Sequence, residues 1–355
     1  SLSPQSDQLM LLRRVYFDLI GLPPSPVETM AYFSASQRDP LAYERLIDRL
    51  LASRHYGERW ARQWLDLAGY TDTREIDNDL ITIVPHKGVW KYRDWVIRAF
   101  NDNLPFDRFL TMQLAGDELV DWRNATQYTD HIKDHLIATS FLRHNQDVTD
   151  HDQYGHKERF DVLFMTMQTF SSSVMGLTVG CAQCHDHKYE PMPQRDYYRL
   201  MGHFMAAYNP DDWVKPKDRY QTNVAGSEKA AIDQGNARLN NQITQVSADI
   251  EKLKATPEGD SQAAESQAQI EALQHQIVEM KSRLQKYDSF PSLWDVGDVP
   301  RMFLLRRGNH DQTGAHLFPG FPAVLTDAVD GLVHAQRPVE TVGKTTGMRL
   351  SLIHI

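Results

Sequence analysis

Apolar residues recur every three or four positions through most of the chain before residue 210. This spacing places them on one face of a helix and predicts a mainly α-helical region. The clearest segments are residues 43–53, 58–70 and 90–100, where charged residues occupy the opposite face. Trp60 and Trp64 lie on one helix face in the second segment, so we expect both rings to anchor the core.

One helix start can be located from its capping residues. Ser25 stands directly before Pro26, and Glu28 follows three positions after the serine. In a capping box the serine and glutamate side chains accept hydrogen bonds from each other's backbone N–H, and proline is favoured at the first helical position. We therefore predict a helix that begins at Pro26.

A second pattern begins after residue 226. Two long stripes of apolar residues at three-and-four spacing are separated by the turn-like stretch "TPEGDS" at residues 256–261. This arrangement predicts an antiparallel coiled-coil hairpin over residues 227–288. Residues 289–355 are rich in proline and glycine, and their short apolar stretches predict an irregular segment with some β-structure. The sequence thus divides into a helical region at residues 1–210, the hairpin, and this last segment.

Composition and charge restrict the possible partners. The chain has 355 residues, of which 41% are hydrophobic and 10% aromatic, and this is ample for a packed core. The net charge is −9 and no block of basic residues is present, so we expect no nucleic-acid partner. No apolar run reaches the ~18 residues that a membrane span requires. The chain starts inside a helical pattern and ends in mid-pattern, and we interpret it as part of a longer protein.

The only two cysteines lie together in the stretch "GLTVGCAQCHDHKYEPMPQRDYY" at residues 176–198. Cys181, Cys184 and His185 form a C-x-x-C-H motif, which is typical of covalent haem c attachment. Two thiols about one turn apart can each add to a porphyrin vinyl group, and the following histidine then binds the iron as the proximal ligand.

Two other interpretations of the motif remain open. Cys181, Cys184 and a histidine are possible ligands of zinc or another transition metal, although the chain has no second C-x-x-C. A thioredoxin-like dithiol requires a β-α-β setting, whereas the flanking segments here are predicted to be helical.

Residues after the motif are further candidates. His187 is a candidate ligand or hydrogen-bond donor to a ligand, Lys188 is a candidate partner of a haem propionate, and Met192 is a weak candidate for the sixth iron ligand. Upstream, the segment 144–156 is rich in histidine and aspartate. Its spacing fits neither a helical zinc pair nor a calcium loop, so we expect a solvated loop rather than a second metal site.

Five ordered blocks resemble the planctomycete cytochrome c-like domain, a family catalogued as a domain of unknown function with a C-x-x-C-H motif. The resemblance covers roughly residues 9–208 and includes "YERLIDRLLASRHYGERWARQWLDLAGYTDT", "VWKYRDWVIRAFNDNLPFDRFLTMQLAGDEL" and the motif stretch. The stretch "TTGMRL" at residues 345–350 resembles the start of the planctomycete-specific C-terminal domain that follows in this family.

The resemblance implies a helical cytochrome-like domain at residues 1–210 and export to the periplasm or cell surface. It implies haem c held by Cys181, Cys184 and His185, and the neighbouring cytochrome and C-terminal domains of the full-length protein as partners. Electron transfer within a larger protein is the favoured function. A haem oxidoreductase, a metal-dependent hydrolase of surface polymers and a structural metal-binding or assembly module are the alternatives.

Overall fold

A computed structural model describes residues 6–76, 79–150, 153–255, 263–325, 337–339 and 341–354. The described chain is mainly α, as predicted. Its α-helices are α1 Gln8–Leu19, α2 Pro26–Ser36, α3 Ala42–Leu51, α4 Arg54–Leu67, α5 Trp90–Asn101, α6 Phe106–Ala115, α7 Asp130–Ala138, α8 His156–Phe170, α9 Gln194–Met201, α10 Gly226–Ala255, α11 Ala263–Ser282 and α12 Met348–Ser351. Its strands are β1 Thr73–Ile76, β2 Asp79–Pro85, β3 Tyr220–Thr222, β4 Ser289–Pro291, β5 Met302–Leu305 and β6 Thr313–Leu317.

Helices α1 to α3 pack around a small apolar cluster. The capping box predicted before α2 is confirmed, because Ser25 and Glu28 exchange side-chain and backbone hydrogen bonds and Pro26 is the first helical residue. The cluster consists of buried residues from all three helices, namely Leu12, Val15, Tyr16, Tyr32, Ala42, Leu46 and Leu50.

A buried polar network joins α4, α5 and α6. The indole nitrogen of Trp64 donates to Gln113 Oε1 at 2.7 Å, and the Tyr92 hydroxyl donates to the same oxygen at 2.6 Å. Trp64 is a core residue, as predicted, but Trp60 is 38% exposed. The prediction for Trp60 is wrong because residues four apart on a helix diverge by about 40°, which leaves Trp60 at the edge of the buried face.

Two antiparallel strands that the sequence pattern did not predict lie within the mainly α-helical region. Strands β1 and β2 pair antiparallel, with Thr73 opposite Pro85. The segment "DLITIVP" at residues 79–85 contains several β-branched residues, which favour strands over helices. The β-branched stretch is short, and the helical periodicity of the segments on both sides outweighs it when the sequence is considered alone.

The chain forms two compact units. One contains residues 1–121, 130–221 and 290–355, and the other contains residues 122–129 and 222–289. In the second unit α10 packs along α11, which confirms the predicted hairpin arms, while the predicted turn at 256–261 lies outside the described residues. The backbone N–H of Gln285 donates to Asn236 Oδ1 at 3.0 Å near the base of the hairpin. The domain boundaries given by the sequence stay a prediction.

Part of the last segment belongs to the first unit and ends in a buried ion cluster. Strands β5 and β6 pair antiparallel, as the β-like stretches predicted. Farther on, the Arg349 guanidinium contacts Asp117 at 2.7 Å, Asp295 at 3.1 Å and Glu118 at 3.3 Å, and these side chains are 0–3% exposed. Within the described ranges, none of the helices has both the length and the apolar character needed to cross a membrane.

Candidate functional site

Cys181 lies in a short 3-10 helix between α8 and α9, and Cys184 directly follows this helix. Helix α8 continues into a π-helical turn, Ser171–Met175, which ends at Gly176 with φ +66°. This left-handed conformation favours glycine, because a Cβ would be strained there. The chain then enters the 3-10 helix Gly180–Gln183. Ala182 is fully buried, whereas Cys181 and Cys184 are exposed on either side of it, so packing of the alanine presents both thiols at the surface.

The two thiols have different surroundings. The Cys184 thiol donates to the backbone carbonyl of Arg307 at 3.4 Å, in the turn between β5 and β6. In that turn Gly308 has φ +71°, and a Cβ there would lie 3.1 Å from Cys184 Sγ. A side chain at this position would be strained by the positive φ and would crowd the thiol. Among the described contacts none involves the thiol of Cys181.

His185 is exposed and carries its proton on Nδ1. Its Nδ1 lies 2.8 Å from the carbonyl oxygen of Asp186. A carbonyl oxygen can only accept, so Nδ1 must be the donor. The lone pair on Nε2 then remains available to a metal ion, which is the arrangement found when a backbone carbonyl orients a ligating histidine.

His187 has the opposite arrangement. Its Nδ1 accepts hydrogen bonds from the backbone N–H groups of Glu190, at 2.8 Å, and Tyr189, at 3.3 Å. The neutral ring therefore carries its proton on Nε2 and has no lone pair left for iron. This arrangement favours His187 as an organiser of the loop rather than as a ligand.

Several hydrogen bonds hold the loop that follows the motif. Asp186 Oδ1 accepts the backbone N–H of Gln194 at 2.8 Å, at the start of α9. The side-chain nitrogen of Gln194 donates to the carbonyls of Gln183, at 2.9 Å, and Leu305, at 3.1 Å. Gln194 thus ties the motif to β5. Nothing in the sequence singles out Gln194, since an isolated glutamine at a helix start carries no such signal.

Met192 and Lys188 differ sharply in exposure. Met192 is 2% exposed, and its carbonyl accepts the backbone N–H of His187 at 3.0 Å. Lys188 is exposed, with its Nζ 5.2 Å from the centre of the Tyr189 ring. Lys188 is therefore accessible to an anionic group, while Met192 packs inside the loop.

Two buried tyrosines of α9 lie behind Cys184. The Tyr198 hydroxyl donates to the Gln183 carbonyl at 2.8 Å. Burial raises the pKa of both Tyr197 and Tyr198 far above the usual value, and the nearby Cys184 adds to the effect. Both hydroxyls therefore stay neutral beside the motif.

The histidine- and aspartate-rich segment is not a solvated loop throughout. The Asp147 carboxylate is 6% exposed and lies 3.4 Å from Arg143, while burial lowers the pKa of His144 to about 3. Asp150 accepts the backbone N–H of Lys217 at 2.9 Å. His151 and Asp152 lie outside the described residues. In the described part of the chain, no three histidine, cysteine, aspartate or glutamate side chains form a group able to hold a metal ion.

The residues of the motif fit a covalent haem. Both cysteines are exposed and lie about one turn apart along the chain. The adjacent His185 has a free lone pair on Nε2. A structural zinc site would need four ligands, and among the described residues no three or more histidine, cysteine, aspartate or glutamate side chains come together in a group that could hold a metal ion.

Comparison with protein families gives a match to more than half of the chain. A family model named PSCyt2, with the description "Protein of unknown function (DUF1549)", matches residues 1–209. Searches among curated proteins and among solved structures found no match.

Proposed function

Because this chain belongs to the PSCyt2 family of proteins of unknown function, and because its motif suits haem, we propose that it is a c-type cytochrome-like protein. Cys181 and Cys184 would hold haem c through thioether bonds, and His185 would bind the iron as the proximal ligand. A haem held in this way supplies a one-electron redox centre. The proposed role is electron transfer within a larger multidomain protein.

The hydrogen bond from His185 to the Asp186 carbonyl carries the proposal. It fixes the ring with its proton on Nδ1 and orients the imidazole before any ligand binds. His187 is two residues away and holds its proton on the other nitrogen. Of the two, His185 is therefore the ligand and His187 stabilises the loop.

Residues around the motif have supporting roles in this proposal. Gln194 holds the motif against β5 through the carbonyls of Gln183 and Leu305. Lys188 is exposed and would pair with a propionate at the surface. We assign no ligand role to Met192, because it packs inside the loop.

The proposal extends to location and partners. Export to the periplasm or cell surface, and electron exchange with neighbouring cytochrome and C-terminal domains, follow from the family resemblance. The start of a planctomycete-specific C-terminal domain at residues 345–350 belongs to the same proposal. A metal-dependent hydrolase has less support, because the described histidines and carboxylates form no metal-binding group of three or more.

An optical spectrum tests the proposal. The protein is produced together with a haem c maturation system and reduced with dithionite. We expect a sharp α-band in the wild-type protein, a shifted band in Cys181→Ala and Cys184→Ala, and loss of covalent haem in the double variant. A colourless protein that contains zinc after the same treatment would exclude the haem assignment. If haem is present, carbon monoxide binding to the reduced form would favour an oxidoreductase over simple electron transfer.

A further inference from the structure

Helix α7 carries two histidines whose rings lie side by side. His131 and His135 are four positions apart within Asp130–Ala138, a spacing that brings both side chains onto one face of the helix. Their ring centres are 4.2 Å apart. Two imidazoles bound to one tetrahedral ion have ring centres roughly 5 Å apart, given the usual metal–nitrogen bond length. A small rotation of one ring therefore brings both onto a common ion.

The backbone of α7 orients His135 as a ligand. Its Nδ1 lies 2.8 Å from the carbonyl oxygen of His131. Because this oxygen can only accept, Nδ1 carries the proton and Nε2 carries the lone pair. His135 is 6% exposed, yet its Nε2 is not one of the enclosed polar atoms that lack a partner. Since no described hydrogen bond uses Nε2, this nitrogen reaches solvent and can bind an ion.

The protonation state of His135 also suits a ligand. Burial lowers its pKa to about 4 against the opposing effect of its hydrogen bond to the His131 carbonyl, and the charges of His131 and Arg108 act in the same direction as burial. An ion therefore displaces no proton from this ring at neutral pH. Arg108 also repels a cation, but its side chain is exposed and the repulsion is screened by solvent and salt.

The carboxylates of α7 are paired with other cations. Asp134 contacts Arg98 at 2.5 Å, and Asp130 contacts Lys133 at 3.2 Å. In the described ranges no three histidine, cysteine, aspartate or glutamate side chains form a metal-holding group. An ion on this face would thus have two protein ligands and complete its coordination with water, unlike a structural zinc ion with four protein ligands.

We propose that His131 and His135 form a surface site for a divalent transition-metal ion that prefers imidazole, such as Zn²⁺ or Cu²⁺. His135 binds through Nε2, and the exposed His131 supplies the second bond. Because this second bond forms within one molecule, the pair binds the ion roughly a hundredfold more tightly than a single histidine does. The site is separate from the C-x-x-C-H motif and does not depend on the haem proposed there.

Electron paramagnetic resonance with Cu²⁺ tests the proposal in solution. The full chain is produced without a haem maturation system, its exposed thiols are alkylated with iodoacetamide, and half an equivalent of Cu²⁺ is added. We expect pulsed spectra with nitrogen couplings from two imidazoles. A wild-type spectrum with a single imidazole overturns the proposal.

A matched pair of variants assigns the copper to α7. His131→Gln should lower the affinity for Cu²⁺ by roughly a hundredfold, and it should fold because His131 is exposed. His275→Gln, which removes an exposed histidine of α11, should bind as the wild type does. An unchanged affinity in His131→Gln contradicts the inference.

Crystallography with Zn²⁺ locates the ion directly. Crystals of the protein are soaked in zinc chloride, and anomalous diffraction is recorded at the zinc edge. We expect an anomalous peak about 2.1 Å from His135 Nε2. The absence of a peak between His131 and His135, with or without peaks elsewhere, overturns the proposal.

Discussion

His185 and His187 lie two positions apart and hold their protons on different ring nitrogens. The difference comes from the backbone: His185 faces a carbonyl oxygen, and His187 faces the N–H groups of Tyr189 and Glu190. A histidine binds metal through a nitrogen that carries no proton. The chemical roles of these two residues are thus set by the fold of the loop.

Exchanging each histidine for alanine should separate the two roles. In haem-loaded protein, His185→Ala should change the Soret and α-bands, because the iron loses its proximal ligand. His187→Ala should keep the wild-type spectrum but lower the free energy of unfolding by about 1–3 kcal/mol, since two backbone N–H groups lose their acceptor. Absorption spectra and urea unfolding measure these effects. A wild-type spectrum in His185→Ala would refute this assignment.

Glu118 is a buried acid with an unusual affinity for its proton. Burial raises its pKa to about 8; Arg349 opposes this rise, and Asp295 and Asp117 reinforce it. The folded protein therefore holds the proton more tightly than the unfolded chain does. The stability that this proton provides is fully present below the unfolded pKa and is lost as the pH rises through the folded pKa.

We predict that the free energy of unfolding falls between about pH 5 and pH 8. One proton gives a slope of at most about 1.4 kcal/mol per pH unit. Glu118→Gln should flatten this dependence, because the amide remains neutral, while the exposed Glu228→Gln should leave it unchanged. Urea unfolding across the pH range is the measurement. An identical slope in Glu118→Gln and wild type would contradict the role of Glu118.

At the scale of elements, α4 and α5 approach closely at Gly57. The Gly57 N–H donates to Asn101 Oδ1 at 2.8 Å. A Cβ at this position would overlap the carbonyl oxygen of Ile97 and lie 2.6 Å from the Asn101 side chain. The contact between the two helices therefore requires a residue without a side chain.

Two glycine substitutions should have opposite effects. Gly57→Ala should destabilise the protein by about 1–3 kcal/mol, because the helices must separate. Gly235→Ala, in the middle of α10 with open space at the Cβ position, should stabilise its helix by roughly 0.5–1 kcal/mol. Thermal unfolding of both variants, followed by circular dichroism, measures the difference. A neutral Gly57→Ala would contradict the close approach.

The sequence predicted local elements better than the contacts between them. Apolar spacing located α3, α4 and α5, and the capping residues located the start of α2. The contact of Gly308 with Cys184 could not be predicted, since 124 positions separate the two residues and the turn has no special composition beyond one glycine. The motif identified the candidate ligands, whereas the protonation of His185 and His187 depends on backbone carbonyl and N–H positions that spacing does not encode.

For the whole molecule, the first unit extends beyond the family match. The match ends at residue 209, but residues 290–355 belong to the same unit. Phe290 and Leu293 are fully buried, and Arg349 forms a buried ion pair with Asp117. The matched segment alone therefore leaves the Asp117 carboxylate buried without its cation.

Two deletions should show which segments of the chain are required for cooperative unfolding. A chain that ends at residue 209 should not unfold cooperatively, because removing one partner of a buried ion pair costs about 3–5 kcal/mol. Replacing residues 224–287 with a short Gly/Ser linker should keep cooperative unfolding, because β3 and β4, which flank this segment, pair in one sheet. Calorimetry distinguishes the two, and cooperative unfolding of the 209-residue chain would contradict the account.

The mass of the denatured, mature protein tests the central claim most directly. Protein produced with a haem c maturation system is unfolded in acid and analysed intact by mass spectrometry, which removes any haem that is not covalently bound. We predict that the wild type carries the added mass of one haem and that the Cys181→Ala/Cys184→Ala double variant has the mass of the polypeptide alone. A wild-type mass equal to that of the bare polypeptide, in a host that matures a control cytochrome c, would contradict the proposed function.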